Sequence, residues 1–109
     1  MNDVIDVTDT LLKIAKEHGQ KLTPQQLVKL SWFAHGWSLG IRGRGMFHNP
    51  IEAWPYGPII PDLYRATQQW GRNPIASSSI GEVKQTRVAP QDRRFLEHVF
   101  ELRDRKSVV

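Results

Sequence analysis

Fifteen residues, from Pro50 to Tyr64, constrain the fold more than any other part of this chain. They read Pro-Ile-Glu-Ala-Trp-Pro-Tyr-Gly-Pro-Ile-Ile-Pro-Asp-Leu-Tyr and hold four prolines, one glycine and three large aromatics. Each proline holds its own φ at about −65° and biases the residue before it toward extended geometry. Gly57 can take the positive φ that a Tyr-Gly-Pro turn often needs. Trp54, Tyr56 and Tyr64 bring large apolar areas with polar tips that want partners. Such a stretch predicts a rigid, aromatic-studded turn that delivers the chain into a helix starting near Pro61. A flexible linker would not be built this way.

Helices are expected on both sides of it. Val4, Val7, Leu11, Ile14, Ala15 and His18 recur at helical spacing and predict a helix over 4–18. Asp3 is its N-cap, Asp6 and Asp9 sit near the positive end of the dipole, and Lys13 and Lys16 near the negative end. Gly19 stands where a C′ glycine belongs. A second helix opens on Thr23, with Pro24 at the first helical position and Gln26 completing a capping box. It runs from Gln25 to Leu39 and ends at Gly40. Its apolar residues, Leu27, Val28, Leu30, Trp32, Phe33, Ala34, Trp37 and Leu39, exceed one stripe. That pattern predicts a central helix covered around most of its circumference.

Residues 40–49 form a loop with three glycines and two arginines. Ile51 to Trp54 is a short extended segment, and Pro61 to Trp70 a third helix closed by Gly71. Residues 72–89 make a polar loop. A last helix covers Pro90 to Arg103, with Phe95, Leu96, Val99, Phe100 and Leu102 apolar, and the tail beyond it frays. The expected fold is mainly α: a single domain over 1–109, with about four helices, a short extended segment and a rigid Pro/Gly/aromatic turn.

The same residues exclude several function classes. No cysteine is present, so disulfides and thiolate metal sites are ruled out and a reducing cytoplasm is the expected compartment. The N-terminus is acidic where a signal peptide would be basic, and no apolar run approaches the roughly 18–20 residues of a membrane span. The net charge of +4 is mild, with nine Lys/Arg against six Asp/Glu in residues 55–109. These charges are interleaved in sign, which suits an acidic partner protein at least as well as nucleic acid.

His35 and Ser38 share a helix face, but no third polar residue is there to orient a base, so a surface pair is the better reading. The four histidines lack ligand spacing; His18 is expected to cap a helix end, and the others to be surface or packing residues. Glu52 is expected in a salt bridge or on a backbone amide. Gly40-Ile-Arg-Gly-Arg-Gly has no following Lys-Ser/Thr and no following helix, so a helix cap and turn explain its glycines. The two helices around Gly19 outline a helix-turn-helix. The second, however, offers only Gln25, Gln26, Lys29 and Ser31 before it turns apolar, which leaves DNA binding a minor reading. On chemistry alone, packing is the stronger role for the aromatics and partner recognition the weaker.

Two longer patterns carry a family resemblance. Leu27-Val-Lys-Leu-Ser-Trp-Phe-Ala-His-Gly-Trp-Ser-Leu, and Met46-Phe-His-Asn-Pro-Ile-Glu-Ala-Trp-Pro-Tyr-Gly-Pro-Ile-Ile-Pro-Asp-Leu-Tyr after it, resemble the Panacea-domain family, also called SocA-like or GepA-like phage-associated. The resemblance covers roughly Val7 to Phe100. It implies a mostly helical domain that binds another protein, and it carries over no catalytic residue set; with no catalytic, cofactor or metal site read in the residues either, a non-enzymatic protein-binding module is expected. Many such members are antitoxins that neutralise a co-encoded toxin by direct contact, and one acts as an adaptor to a protease. The alternatives are a phage-encoded inhibitor of a host defence complex, of the anti-CRISPR kind, and a DNA-binding autoregulator. The motif positions that transfer are Trp54, Tyr56, Gly57, Pro58, Pro61 and Tyr64, with Trp37 from the aromatic helix as a further partner-binding candidate. Members usually continue into further helices, whereas this sequence stops at Val109. The expectation is therefore apolar surface left open to a partner or a second copy. Pro55, where the family often has a charged residue, stiffens the turn further.

Overall fold

The N-terminal helix shows how closely local chemistry sets the elements. In the computed structural model, which describes residues 2–55, 57–76 and 88–106, α1 spans Val4–Glu17. The Ile5 N–H donates to the Asp3 carboxylate at 2.9 Å, and His18 Nδ1 lies 2.8 Å from the Ile14 carbonyl oxygen at the other end. Gly19 follows with φ 70°, the left-handed step that lets the chain turn away. α2 spans Pro24–Arg42 and opens on a reciprocal capping box. The Gln26 N–H donates to Thr23 Oγ1, and the Thr23 N–H donates to Gln26 Oε1. It stops at Gly43 with φ 71°, one turn later than the expected Gly40. Gly40 has a right-handed backbone, and an isolated glycine weakens a helix without ending it.

The Pro/Gly/aromatic stretch folds as a two-stranded antiparallel ribbon. β1 is Glu52–Trp54 and β2 is Gly57–Ile59, paired Glu52↔Ile59, Ala53↔Pro58 and Trp54↔Gly57. Gly57 takes φ 118°. Only β1 was foreseen, because two prolines beside three short residues hide the second strand. α3, Pro61–Thr67, starts on Pro61 and runs into a 3-10 turn over Gln68–Trp70. The expected helix over 61–70 thus divides in two, and Gly71 closes it. The expected loop over 72–89 lies largely in residues 77–87, outside those described. α4 spans Pro90–Lys106, past the expected end at Arg103.

The core reverses one expectation. α1, not α2, is the helix at the centre. It packs against α2, α3 and α4, and Val4, Val7, Leu11, Leu12, Ile14 and Ala15 are all buried. Even Thr8, Asp9 and Thr10 are buried on it. The threonine hydroxyls donate to the Ile5 and Asp6 carbonyls of the preceding turn, which makes their burial tolerable. α2 contributes Leu27, Leu30, Ser31, Ala34 and Ser38 on one side only. From α4 come Leu96, Val99 and Phe100, the last with its ring 5.0 Å from that of His18. The Cα radius of gyration is 12.9 Å, as a compact domain of this length should have.

The glycine-rich loop after α2 is a strap threaded into that core. Met46 and Phe47 are both buried. The Met46 N–H donates to His35 Nδ1 at 3.1 Å, and the His35 ring lies 4.3 Å from that of Phe47. A Cβ at Gly45 would overlap the same imidazole, so glycine is required by close approach there. Asn2 Nδ2 donates to the Met46 carbonyl, and the His48 N–H donates to the Asn2 carbonyl. His35 and Ser38 therefore form no surface pair. Ser38 Oγ, buried, donates to the Arg44 carbonyl at 2.6 Å, while His35 holds the strap.

This arrangement carries a pH dependence. Burial pulls the His35 pKa below its ordinary 6.5, and a protonated ring could no longer accept the Met46 N–H. Because the folded-state value is depressed, the stability it contributes is complete above the unfolded value and is lost as pH falls through the folded one. Thermal melts taken from about pH 8 down to about pH 5 should show Tm declining below about pH 6.5. A His35→Leu variant should melt lower throughout but with a flatter profile over that window. Equal slopes in the two proteins would assign the decline to other groups.

Candidate protein-binding groove

The apolar excess on α2 has a consequence. With one side of the helix facing α1 and α4, Trp32 is 48% exposed, Leu39 50% and Ile41 71%. The expectation of cover around most of its circumference fails because α1 already fills the centre. Val28, Phe33 and Trp37 are half-buried at the edge of the core, with the Phe33 and Trp37 rings 5.2 Å apart. A large exposed indole on a helix face is the kind of feature that marks contact with another molecule.

Facing this side of α2 is the Pro/Gly/aromatic unit, and between them lies a groove of about 560 Å³. α2 lines it with Pro24, Gln25, Val28, Lys29, Trp32 and Phe33, β2 with Pro58 and Ile59, and α3 with Tyr64 and Thr67. Tyr64 is 44% exposed and Trp54 43%, their rings 6.1 Å apart and tilted by 52°. Trp54 Nε1 donates to Glu52 Oε1 at 3.0 Å. Glu52 is thus an indole acceptor, not the salt-bridge or amide-bound carboxylate expected from sequence. Thr67 Oγ1 donates to the Leu63 carbonyl, so its polar group is satisfied within α3. The lining is mainly apolar, its polar groups being those of Gln25, Lys29, Tyr64 and Thr67, and no carboxylate belongs to it.

Two anchors hold the unit in place. Asn49 is buried, its Oδ1 accepting from the Val4 N–H and its Nδ2 donating to Asp62 Oδ2, each at 2.7 Å. One amide therefore caps α1 and fixes the first turn of α3. Leu63 and Ile60, both buried, then seat α3 against α1 by apolar contact. Position follows from the strap and the core, while Trp54 and Tyr64 remain partly exposed.

The candidates named from sequence distribute unevenly over this site. Pro58 and Tyr64 line the groove, and Trp54 borders it through Tyr64. Gly57 pairs with Trp54 in the ribbon, and Pro61 occupies the first turn of α3. Trp37 stands beside Phe33 rather than in the groove. Tyr56 lies outside the described residues. Val28, Lys29, Trp32 and Phe33 belong to the site although none was proposed for it. For the three apolar ones the signal is the surplus on α2 beyond a single buried stripe.

Among the described residues no group of three or more His, Cys, Asp or Glu could hold a metal ion. No described helix is long and apolar enough to cross a membrane.

Comparison with known proteins agrees with the motif pattern. Residues 27–105 match the family described as "Antitoxin SocA-like, Panacea domain". Antitoxin SocA of Caulobacter vibrioides (strain NA1000 / CB15N) is 33% identical over 78 residues, which are 72% of this chain and 42% of that protein. The chain therefore spans less than half the length of this curated relative. No solved structure matches it.

Proposed function

The chain belongs to the SocA-like, Panacea-domain antitoxin family, and from that premise we propose that it is a non-enzymatic binding protein that neutralises a toxic partner by direct contact. The observation that supports this reading is the groove between α2 and α3, where Trp32 and Tyr64 stand half exposed over an apolar floor. Large aromatics in such a position are the usual anchors of protein interfaces. Of the partner-binding residues, Pro58 of the hairpin and Tyr64 of α3 line the groove, and Trp54 borders it through Tyr64; Gly57 pairs with Trp54 in the ribbon, Pro61 opens α3, and Trp37 stands beside Phe33. Tyr56 belongs to the same motif. Contact alone could silence the partner, or the bound pair could be handed to a protease as an adaptor would do.

The test is neutralisation in cells. Co-expression should restore growth to a host expressing the toxic protein encoded beside this one. Trp32→Ala and Tyr64→Ala should each weaken the purified complex by about tenfold or more, with Tm close to the parent value. Rescue that survives both substitutions would remove the groove from the function. Tight, sequence-specific binding to the chain's own promoter at moderate salt would favour the autoregulator instead.

A further inference from the structure

The net positive charge of the chain lies on α2 and its flanks, and one of its cations, Lys29, lines the groove. Of fifteen Lys/Arg and eleven Asp/Glu, the stretch from 18 to 51 holds Lys21, Lys29, Arg42 and Arg44 and no carboxylate at all. The remaining residues are balanced, so the net +4 resides on α2 and its flanks. Arg42 is committed to Asp92 at 2.7 Å, with Arg44 at 3.9 Å from the same carboxylate. Lys29 makes no ion pair among the described residues, and it lines the groove.

The backbone narrows how a partner could enter. Pro58 has no N–H, so the hydrogen bonds of the ribbon must run through the Glu52–Ile59 and Trp54–Gly57 pairs. That turns the Gly57 and Ile59 amides toward β1 and leaves Pro58 as the outward position. β2 therefore offers no donor to an added strand. What remains is an apolar channel walled on one side by a helix and on the other by a hairpin and a second helix. This is the setting for a helix laid in a groove, reading i, i+3, i+4 and i+7 anchors.

We propose that the partner docks an amphipathic helix in this groove, seating its apolar face between Trp32 and Tyr64 and presenting an acidic side chain to Lys29. The inference rests on the protein-binding reading above and adds the chemistry of the partner segment. A second copy of the chain fits the site less well. Its own α2 carries no carboxylate, and pairing the two helices would set lysine against lysine.

A display library of helix-forming peptides with randomised surface positions tests this without knowledge of the natural partner. Selection on the parent protein should enrich an apolar i, i+3, i+4, i+7 stripe flanked by Asp or Glu. The consensus peptide should change the fluorescence of Trp32 and bind Lys29→Glu about tenfold more weakly, with affinity falling as salt rises. Lys29 is exposed, so the variant should keep its Tm. A pool without acidic bias, a consensus indifferent to Lys29→Glu, no enrichment at all, or self-association that occludes Trp32 would each overturn the proposal. Neutralisation in cells that depends on Trp32 and Tyr64 but ignores Lys29→Glu would sink the acidic helix and leave the antitoxin reading standing.

Discussion

Replacing Asp92 by alanine is expected to destabilise the fold by about 3 kcal/mol, the cost of breaking a largely desolvated, hydrogen-bonded ion pair. The side chains of Asp92 and Arg42 are only 13% and 21% exposed, too little for a surface pair of negligible worth. Asp92 accepts from Arg42 Nη2 at 2.7 Å and from Asn2 Nδ2 at 3.1 Å. The Arg42 guanidinium also lies 4.9 Å from the centre of the Phe95 ring. One carboxylate therefore joins the start of α4, the end of α2 and the segment before α1, and its loss leaves the half-buried Arg42 guanidinium without its counter-charge, held by the hydrogen bond from Nε to Ser38 Oγ at 3.1 Å.

Burial by itself would raise the Asp92 pKa; the hydrogen bonds from Asn2 and Arg42 and the charges of Arg42 and Arg44 outweigh it and hold the carboxyl below 3.8. Since the folded value is the lower one, this stability is complete above the unfolded pKa and is lost as pH falls through the folded value. Urea titrations at neutral pH should show a lowered midpoint for Asp92→Ala with an unchanged slope. The gap should narrow in acid, where the parent loses the same interaction. A midpoint indistinguishable from the parent at neutral pH would mean the pair is ornamental.

The helix starts, and the end of α1, were legible because capping is chemistry between near neighbours. Asp3, Thr23 and Gln26, Gly19 and Pro61 each act where the sequence places them. The helix at the centre was not legible, because apolar content says how much surface wants cover and not which partner supplies it. α1 gains its central place partly through Thr8 and Thr10, polar residues that satisfy themselves on their own helix. α2, richer in aromatics, was left with Trp32, Leu39 and Ile41 outside.

The strap escaped for a related reason. Met46 and Phe47 sit among glycines that signal a loop, and their contacts come from His35 and Asn2, eleven and forty-four positions away from Met46, while Asn49 is held by Val4 and Asp62. The groove shared both difficulties. Its hairpin wall was visible as a motif, whereas its helical wall was visible only as an excess of apolar residues.

Leu63→Ala and Tyr64→Ala, adjacent on α3, should separate the two roles of the Pro50–Tyr64 stretch. Leu63 is fully buried against α1, and its truncation is expected to cost about 2–5 kcal/mol, according to how far the site can collapse. For a domain of this size that is a fall in Tm of roughly 10 °C or more. Tyr64 is 44% exposed and touches Trp54 at its edge, so its truncation should stay within about 1 kcal/mol of the parent, the worth of an aromatic pair. Partner affinity should follow the opposite order once each protein is held well below its own Tm. Tyr64→Ala removes a groove wall and should weaken binding by about tenfold or more; Leu63→Ala, where folded, still presents that wall. Should Tyr64→Ala bind as the parent does while Leu63→Ala fails in folded form, the stretch would be a support for α2 and the contact would lie elsewhere. The reverse pattern assigns the fold to the buried side of α3 and recognition to the face one residue away.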